Sequence, residues 1–400
     1  MDSHDVIILG GGLVGLTLAL ALDAHGLTSA VVDPADLDKT RHPGFDGRVS
    51  AIASGPWRML EAIGLNLASH GCPIDSIETR EGNDAPPLIF ATGPDEEPLG
   101  TMVENRVLRT VLLDAVMAAK DITLHALARA TAIERTGQGV TVLLSSRAVL
   151  KAPLLLVAEG RNSETRAAAG IKIAHWRYRH TAMVTALDHS IPHNNVAHEI
   201  FFPAGPFALL PMQPGTRSAL VWTVSEKDSV GMRALSDRAF LAEAEKRAGG
   251  LLGELTLSAP RSSYPLGFHH AGQIIAERLA LVGDAAHGIH PIAGQGLNLG
   301  FRDVATLVEV LVEGARLGLD LGDSQLLSRY ERWRGLDTFM VALATDGLTR
   351  LFGLPGKPAS RLRKFGLGLV GQIPPLKARF MAEARGESGD LPKLLQGLSI

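Results

Sequence analysis

Residues 5–33 contain two short apolar runs separated by a longer apolar stretch that carries no charge. The runs are Val6–Leu9 and Ser29–Val32, and the first of them is followed directly by glycines. Short apolar runs predict buried strands, and the longer stretch between them predicts a buried helix. The order strand, glycine turn, helix, strand predicts a βαβ unit with parallel strands.

The glycines of this unit have the spacing of a dinucleotide-binding turn. The first allows a tight turn, the second lets the backbone approach a pyrophosphate, and the third lets the helix pack closely on the strand. An aspartate ends the second strand, where a carboxylate accepts hydrogen bonds from ribose hydroxyls. The alternative is a glycine turn without a ligand. The residues expected to contact the dinucleotide are Gly10, Gly12, Leu13, Val14, Gly15 and Asp33.

A second strand-to-helix connection follows the apolar run Ala280–Val282. Its loop is rich in glycine, so backbone N–H groups can approach a flat ring there. The positive end of the following helix would stabilise the negative charge of a reduced flavin. The pattern therefore predicts a flavin site, and the alternative is a surface connection without a ligand. The residues expected to contact the flavin are Gly283, Asp284, Gly294, Gln295, Gly296, Leu297 and Asn298.

Three further polar turns are candidates for cofactor contacts. Arg48 ends a loop that leads into an amphipathic helix, where its charge either binds the cofactor or is an ordinary surface charge. Asn105 and Arg106 precede the helix Val107–Ala119. Glu159 follows an apolar strand, as expected at the ligand side of a parallel sheet.

The pattern changes between about Ala174 and Ser263, where aromatic residues cluster and the βαβ rhythm is lost. We interpret this region as a mostly antiparallel sheet laid over the first domain, with one face closing the cofactor pocket. Pockets often form at such domain junctions. The alternative for any single aromatic residue is ordinary core. The predicted wall of the substrate pocket consists of Phe202, Phe207, Leu209 and Pro211.

Composition narrows the classes of function. The chain has 400 residues and a formal net charge of −3, so nothing in its overall charge indicates nucleic-acid binding. Cys72 is the only cysteine, which excludes an intramolecular disulfide and cysteine-based zinc or iron–sulfur sites. His287 and His290 lack carboxylate partners and helical spacing, so we predict no metal site. Val6–Leu22 is uncharged but follows an acidic start, which fits neither a signal peptide nor a membrane span.

The order of these motifs resembles that of the FAD-dependent aromatic hydroxylases. The motifs are the GxGxxG turn with its aspartate, DGR, VENRVL, LLVAEGRNSETR, FFPAGPFALLPM and LVGDAAHGIHPIAGQGLNLGFRD. The GPFALLPM and HPIAGQGLNLGFRD segments are similar to those of the ubiquinone-biosynthesis hydroxylases, which act on polyprenylated phenols. This resemblance covers nearly the whole chain.

The resemblance implies an α/β fold. We expect a Rossmann-like, glutathione-reductase-like FAD-binding domain in which a parallel sheet carries an antiparallel meander. An α+β substrate domain would be interleaved with it, and a C-terminal helical segment would follow. The expected FAD-binding parts are 1–70, 101–173 and 266–325, and the expected substrate parts are 71–100 and 174–265. The C-terminal segment would comprise 326–400.

The resemblance also implies a mechanism. Reduced FAD captures O2 as a flavin C4a-hydroperoxide, whose distal oxygen passes to the ring of a phenol. The protein supplies orientation and dryness. Pro291 would lie at the reactive edge of the flavin. His287 is the candidate for deprotonating the phenol, and its alternative role is a loop histidine bonded to backbone.

Two departures from the family pattern affect the expected contacts. Glu159 stands where the family has aspartate, and Asn105 stands where many relatives have arginine. No second GxGxxG turn opens a βαβ unit, so we expect no separate nicotinamide domain. The expected reductant is NAD(P)H bound in the shared cleft or a protein electron donor. The alternatives are an FAD-dependent prenyl-chain reductase and a non-catalytic prenyl-binding protein of the same fold. A flavin-dependent halogenase lacks support because its WxWxIP signature is absent.

The segment from Arg350 onward is rich in Arg and Lys interleaved with Leu and Phe. A basic amphipathic segment suggests contact with an anionic membrane surface, and the alternative is a solvated helix packed on its own domain. We therefore expect a cytoplasmic protein, peripheral on the inner face of the membrane. Besides the phenol and O2, a complex of ubiquinone-biosynthesis enzymes is an expected partner.

Overall fold

The computed structural model describes residues 2–41, 44–45, 47–288, 295–335 and 374–400. Its helices are α1 (Leu13–Asp23), α2 (Ser54–Ala62), α3 (Asn105–Ala118), α4 (Glu164–Ala168), α5 (Glu226–Ala234), α6 (Asp237–Ala248), α7 (Gln295–Arg316), α8 (324–335) and α9 (Pro374–Ala384). Its strands are β1 (Asp2–Ser3), β2 (Val6–Leu9), β3 (Ser29–Val32), β4 (Val49–Ala53), β5 (Cys72–Ile74), β6 (Ser76–Glu81), β7 (Leu88–Ala91), β8 (Gly100–Glu104), β9 (Ile122–His125), β10 (Ala130–Thr136), β11 (Gly139–Leu144), β12 (Val149–Ala152), β13 (Leu154–Val157), β14 (Ile173–His189), β15 (Val196–Phe202), β16 (Gly205–Met212), β17 (Arg217–Ser225), β18 (Leu255–Leu257), β19 (Ser262–Ala271), β20 (Ile275–Ala276), β21 (Leu279–Leu281) and β22 (His287–Gly288).

A six-stranded sheet in the order β20-β21-β13-β2-β3-β9 forms the centre of the cofactor side. Its strands are parallel except for β20. β2, β3 and β13 are buried along their whole length, as expected for parallel strands that are covered on both faces. Helices α1 and α7 pack against each other, and strands β10, β11 and β12 form the antiparallel meander. The predicted fold class is confirmed.

A nine-stranded sheet forms the second part of the molecule. Strands β14 to β17 are its antiparallel centre, and β6 and β7 join its edge from the 71–100 segment. Segments 71–100 and 174–265, which are far apart in the sequence, therefore contribute strands to the same sheet. The expected boundary at 265 lies inside β19, which runs on to Ala271 and pairs with β22.

A three-stranded sheet of β4, β8 and β5 connects the two larger sheets. A hydrophobic cluster joins Met102 of β8 to Ala197 of β15, with Ala51 of β4 and Leu210 of β16 packed against it. The cleft between the cofactor side and the large sheet is therefore bounded by this small sheet. Within the described residues, none of the helices has the length and apolar character needed to cross a bilayer.

Candidate functional site

The first glycine turn has the geometry that its spacing predicts. Gly10 has φ +110°, and a Cβ atom there would lie 2.4 Å from the carbonyl oxygen of Ala158. A Cβ atom on Gly15 would lie 1.9 Å from the carbonyl oxygen of Gly10. Both positions therefore exclude a side chain. Gly12 is different, because nothing lies within 4 Å of its Cβ position at the N-terminus of α1.

Asp33 is held beside this turn by backbone donors. Its Oδ2 atom accepts a hydrogen bond of 2.6 Å from the Gly11 N–H, and its Oδ1 atom accepts one of 2.7 Å from the Ala35 N–H. These bonds fix the carboxylate at the end of β3. A carboxylate oxygen has two acceptor positions, so the half-buried group can accept further bonds from a ligand.

The second glycine turn lies against the first. Gly283 has φ +59°, and its Cβ position is 3.3 Å from Cγ1 of Val14. The Cβ position of Gly300, in α7, is 2.8 Å from Cγ2 of the same valine. Val14 therefore fits between the end of β21 and the start of α7. The two turns are brought together at the same edge of the parallel sheet.

The start of α7 is joined to β4 by a side chain. The Oδ1 atom of Asn298 accepts a bond of 3.0 Å from the Ala53 N–H, and its Nδ2 atom donates to the Ala51 carbonyl over 2.9 Å. The buried amide thus completes the edge of β4. Asn298 positions that strand with its side chain, which leaves backbone groups of α7 for the predicted flavin contact.

The other residues predicted to contact the flavin in this loop differ from Asn298 in how far they are buried. Asp284 is exposed, Leu297 is half-buried, and the Cβ position of Gly296 is open. Pro291, Gly294 and the side chain of Gln295 lie outside the described residues.

The polar residues around β4 and α3 form a small bonded group. Ser50 Oγ donates to Asn105 Oδ1 over 2.7 Å, and Asn105 N–H donates to the Arg48 carbonyl over 3.1 Å. Arg106 Nε lies 2.5 Å from Glu104 Oε2. The Arg48 side chain is exposed. Asn105 therefore ties the start of α3 to β4.

Glu159 caps the N-terminus of helix α4. Its carboxylate accepts bonds from Ser163 Oγ over 2.6 Å, from Thr165 Oγ1 over 3.0 Å and from the Thr165 N–H over 3.2 Å. The next turn carries Arg166, a buried guanidinium that donates to the Ala285 carbonyl over 2.9 Å. Burial lowers the pKa of Arg166. The longer side chain of Glu159 thus organises this turn, and Arg166 fixes it to the segment that follows β21.

His287 is part of a buried charged cluster. Its Nε2 atom lies 2.6 Å from Oδ2 of Asp303, whose Oδ1 atom accepts a bond of 2.7 Å from Arg334 Nε. The Gly283 N–H also donates to Asp303, over 2.8 Å. His287, Asp303 and Arg334 are each at most 2 % exposed. This cluster joins β22, α7 and α8 beneath the second glycine turn.

The electrostatics of the cluster stabilise a charge inside the protein. Burial raises the pKa of Asp303, but the attraction of His287 and Arg334 outweighs it, so the pKa is lowered overall. Tyr330 of α8 adds a neutral contact, because its hydroxyl donates to the Leu281 carbonyl over 2.8 Å. His287 therefore has a carboxylate partner that sequence reasoning missed.

The large sheet presents different side chains on its two faces. Phe207 and Leu209 are buried with Trp222 and with Phe240 of α6. Phe202 packs against the same cluster, and Pro211 has the same parity along β16. All four residues predicted as pocket wall thus lie on the face turned away from the cleft. This placement corrects the expectation and agrees with its alternative, ordinary core.

The cleft face of the same strand carries the intervening residues. Leu210 and Val49 of β4 both pack against the cluster that contains Met212. A cavity of about 170 Å³ lies at this junction, lined by Val49, Met102, Glu104, Arg106, Met212 and Gln213 among others. Period-two alternation explains the correction, since a shift of one residue along a strand moves a side chain to the opposite face.

The FAD binding domain family matches residues 3–336 of the chain. The chain belongs to this family. It is 43 % identical to ubiquinone hydroxylase UbiL of Rhodospirillum rubrum over 99 % of its length and 93 % of the relative. It is 33 % identical to the 3-demethoxyubiquinol 3-hydroxylase of Escherichia coli, over 96 % and 98 % of the two chains. The protein is an FAD-dependent monooxygenase, which confirms the predicted enzyme class and cofactor.

Solved structures show the same fold at lower sequence identity. The p-nitrophenol 4-monooxygenase of Pseudomonas putida superposes with a TM-score of 0.79 and 17 % identity, over 98 % of this chain and 100 % of that one. A fold shared at this identity supports the architecture alone.

The residues of this monooxygenase fit the cofactor of its family. The Cβ position of Gly12 is open at the N-terminus of α1, while Gly10 and Gly15 are closed by backbone. The first turn of α1 has no acidic residue, so no side chain opposes an anion there. The second turn lies against the first through Val14, within reach of the same extended molecule.

Sequence reasoning missed three residues that the fold places at or near this site. Asp303 and Arg334 belong to helices, and Glu199 belongs to an apolar strand. A charged residue inside a mostly apolar stretch, such as Glu199 in VAHEIFF, was the available signal.

Proposed function

We propose that this monooxygenase hydroxylates the aromatic ring of a polyprenylated phenol in ubiquinone biosynthesis. The observation that carries the proposal is the meeting of two glycine turns at one edge of the parallel sheet, beside an apolar sheet face. Two relatives that match along nearly their full length are named as hydroxylases of ubiquinone or demethoxyubiquinol. Their names support the class of substrate.

The proposed roles on the cofactor side follow from the placement of each group. The first glycine turn and the N-terminus of α1 would bind the pyrophosphate, and Asp33 would accept from the ribose. Backbone groups at Gly296–Asn298 would face the flavin ring at the start of α7. Arg48, Asn105 and Arg106 would border the cofactor from β4 and α3. Bound FAD supplies the activation of O2 and the transfer of one oxygen atom.

The proposed roles on the substrate side are orientation and the exclusion of water. Ala208, Leu210 and Val221 have the parity of the cleft face and carry no polar atoms in their side chains. An apolar wall would hold the ring in place and limit the loss of reducing equivalents as hydrogen peroxide.

Incorporation of labelled oxygen tests this function directly. The FAD-loaded enzyme is reduced with dithionite and mixed with a short-chain 2-prenylphenol under ¹⁸O2. We expect a product that is heavier by one ¹⁸O atom, and its fragmentation gives the ring position. A product with a reduced prenyl chain would establish the reductase instead. Purified protein without flavin absorbance would contradict both the hydroxylase and the reductase.

We also propose that the enzyme attaches peripherally to an anionic membrane surface through basic residues after Arg350. Much of that segment lies outside the described residues. Two of its cations have partners in the chain, because Arg385 lies 2.5 Å from Glu96 and Lys393 lies 3.4 Å from Glu313. The test therefore neutralises Arg361, Arg363, Lys364, Lys377 and Arg379 and leaves those two intact.

We expect this variant to float less with phosphatidylglycerol liposomes than the parent does. Equal flotation of the two proteins would refute the attachment. We further propose that the enzyme belongs to a complex of ubiquinone-biosynthesis enzymes. Its proposed reductant is NAD(P)H or a protein electron donor.

A further inference from the structure

Glu199 lies on the cleft face of the large sheet. Along β15, Ile200 and Phe202 face the cluster under α6, so Ala197 and Glu199 have the opposite parity. Ala197 packs with Met102 of β8, at the small sheet that bounds the cleft. The Glu199 side chain therefore projects from the same face as Ala197, toward the cofactor side.

The residues that pair in register with Glu199 on this face are small or uncharged, whereas Glu81, in register with Phe201, is a second carboxyl on it. It pairs in register with Ala208 of β16, which pairs with Val221 of β17, which pairs with Val184 of β14. On its other side it pairs with Thr79 of β6. Ala208, the in-register neighbour of Glu199 on β16, carries only a methyl group beside the carboxyl.

The carboxyl itself combines partial exposure with strong desolvation. Glu199 is only half-buried, yet burial raises its pKa to about 7. Among the residues that the structure describes, none gives this carboxyl a hydrogen bond or an ion pair. A group that protein surrounds but solvent still reaches lies on a concave surface. A polar group kept in such a place without a partner of its own is suited to binding a ligand.

A short chain of contacts links this position to the cofactor side. Asn298, at the start of α7, donates to the Ala51 carbonyl of β4. Ala51 packs in the same cluster as Ala197. Glu199 follows two residues later, about 7 Å along β15 at the rise of a strand. The carboxyl thus shares the sheet face that packs against β4 and lies one side-chain repeat from Ala197.

We propose that Glu199 accepts the proton of the substrate's ring hydroxyl, and this inference rests on the proposed ring hydroxylation. The O–H bond of the phenol breaks, its proton joins a carboxylate oxygen of Glu199, and the electron pair stays on the phenol oxygen. That oxygen donates electron density to the ortho and para carbons, one of which takes the oxygen atom. Glu199 then releases its proton to solvent at the open side of the cleft.

His287 is less suited to this step. Its ring is 2 % exposed and lies 2.6 Å from Asp303, so one nitrogen is already bound to a buried carboxylate. Glu199 is reachable and has a pKa near the pH at which the enzyme would work, which is the condition for an efficient general base.

Substitution of Glu199 with glutamine tests the inference in single turnovers. The FAD-loaded parent and E199Q are reduced with dithionite and mixed with O2 and a short-chain 2-prenylphenol. We expect hydroxylation to slow by about 10²- to 10⁴-fold in E199Q, the range of a lost general base. Oxidation of the reduced flavin without phenol should be unchanged. E199D, with a shorter reach, should fall between the two.

A more acidic phenol separates proton transfer from structural damage. With a ring-fluorinated 2-prenylphenol, the ratio of parent rate to E199Q rate should shrink about tenfold or more, since less help is needed to remove the proton. E78Q is the matched control, because Glu78 is on the adjacent strand and pairs with Arg80, and we expect the parent rate within about twofold.

The outcomes are distinct. An E199Q rate equal to that of the parent, or a ratio that does not depend on phenol acidity, overturns the role of Glu199 and leaves ring hydroxylation intact. A parent enzyme that hydroxylates neither phenol removes the proposed function and this inference together.

Discussion

Two buried or half-buried carboxyl groups lie on opposite sides of the cleft and are built in opposite ways. Asp303, beneath the second glycine turn, accepts bonds from His287, Arg334 and a backbone N–H, and its pKa is lowered. Glu199, on the sheet face, has no such partner in the described part of the chain, and its pKa is raised to about 7. A satisfied charge holds elements together, whereas an unsatisfied one is available for chemistry.

Removing the charge of Asp303 gives the largest expected effect. In D303N the His287 and Arg334 side chains lose their shared anion in a dry environment, so the free energy of unfolding should fall by about 3–5 kcal/mol. The measurement is the urea denaturation midpoint of the purified enzyme. The pKa of Asp303 is lowered in the folded state, so its contribution is present above the unfolded pKa and is lost as the pH falls through the folded pKa.

E243Q is the matched control for this experiment. Glu243 pairs with Lys246 at the surface, with side chains 40 % and 69 % exposed, and we expect a change below about 1 kcal/mol. If D303N is no less stable than E243Q, the buried cluster does not hold α7 and α8 in place.

Truncation of Phe207 tests the assignment of the two sheet faces. F207A removes a ring that is 0 % exposed and contacts Trp222 edge to face, so we expect a loss of about 3–5 kcal/mol. The folded fraction should keep the parent KM for the phenol, because the ring faces α6. A large rise in KM with little loss of stability would restore Phe207 to the pocket wall. L210A, on the cleft face, is the comparison variant.

The glycines of the first turn separate packing from ligand binding. A methyl group at Gly15 would meet the Gly10 carbonyl, so G15A should cost about 1–3 kcal/mol of stability and also lose FAD. The Cβ position of Gly12 is open, so G12A should fold with nearly the parent stability and lose FAD affinity alone. Thermal midpoints of the apoproteins and flavin fluorescence titrations measure the two effects. Equal behaviour of both variants would contradict the distinct roles.

The sequence was informative where a local pattern carries the fold. The βαβ unit at Gly10–Asp33 is readable because strand, turn and helix are adjacent in the chain and each glycine has one steric role. The sequence did not predict which side chains of β16 face the cleft. FALLPM is apolar at every position, so alternation of polar and apolar residues cannot distinguish the two faces. The Asp303 cluster was missed because its members come from three elements that only the fold brings together.

The pH dependence of stability isolates Glu199 from catalysis. Burial raises its pKa from an ordinary 4.5 to about 7, so the folded carboxyl holds its proton to higher pH than the unfolded one. Its contribution is complete below about pH 4.5 and is lost as the pH rises through 7. On the described neighbouring strands, Thr79, Ala197, Phe201 and Ala208 share this face, and Glu81, in register with Phe201, is another carboxyl there.

E199Q cannot ionise, so it should escape this loss. Relative to the parent, we expect it to gain about 1–3 kcal/mol between pH 5 and pH 8, measured as the change in denaturation midpoint of the apoprotein. E78Q should show no such gain, because Glu78 already has Arg80 and His198 as partners. If the stabilities of the parent and E199Q follow the same pH curve, Glu199 is solvated like a surface carboxyl. The contrast between Glu199 and Asp303 would then have no electrostatic basis.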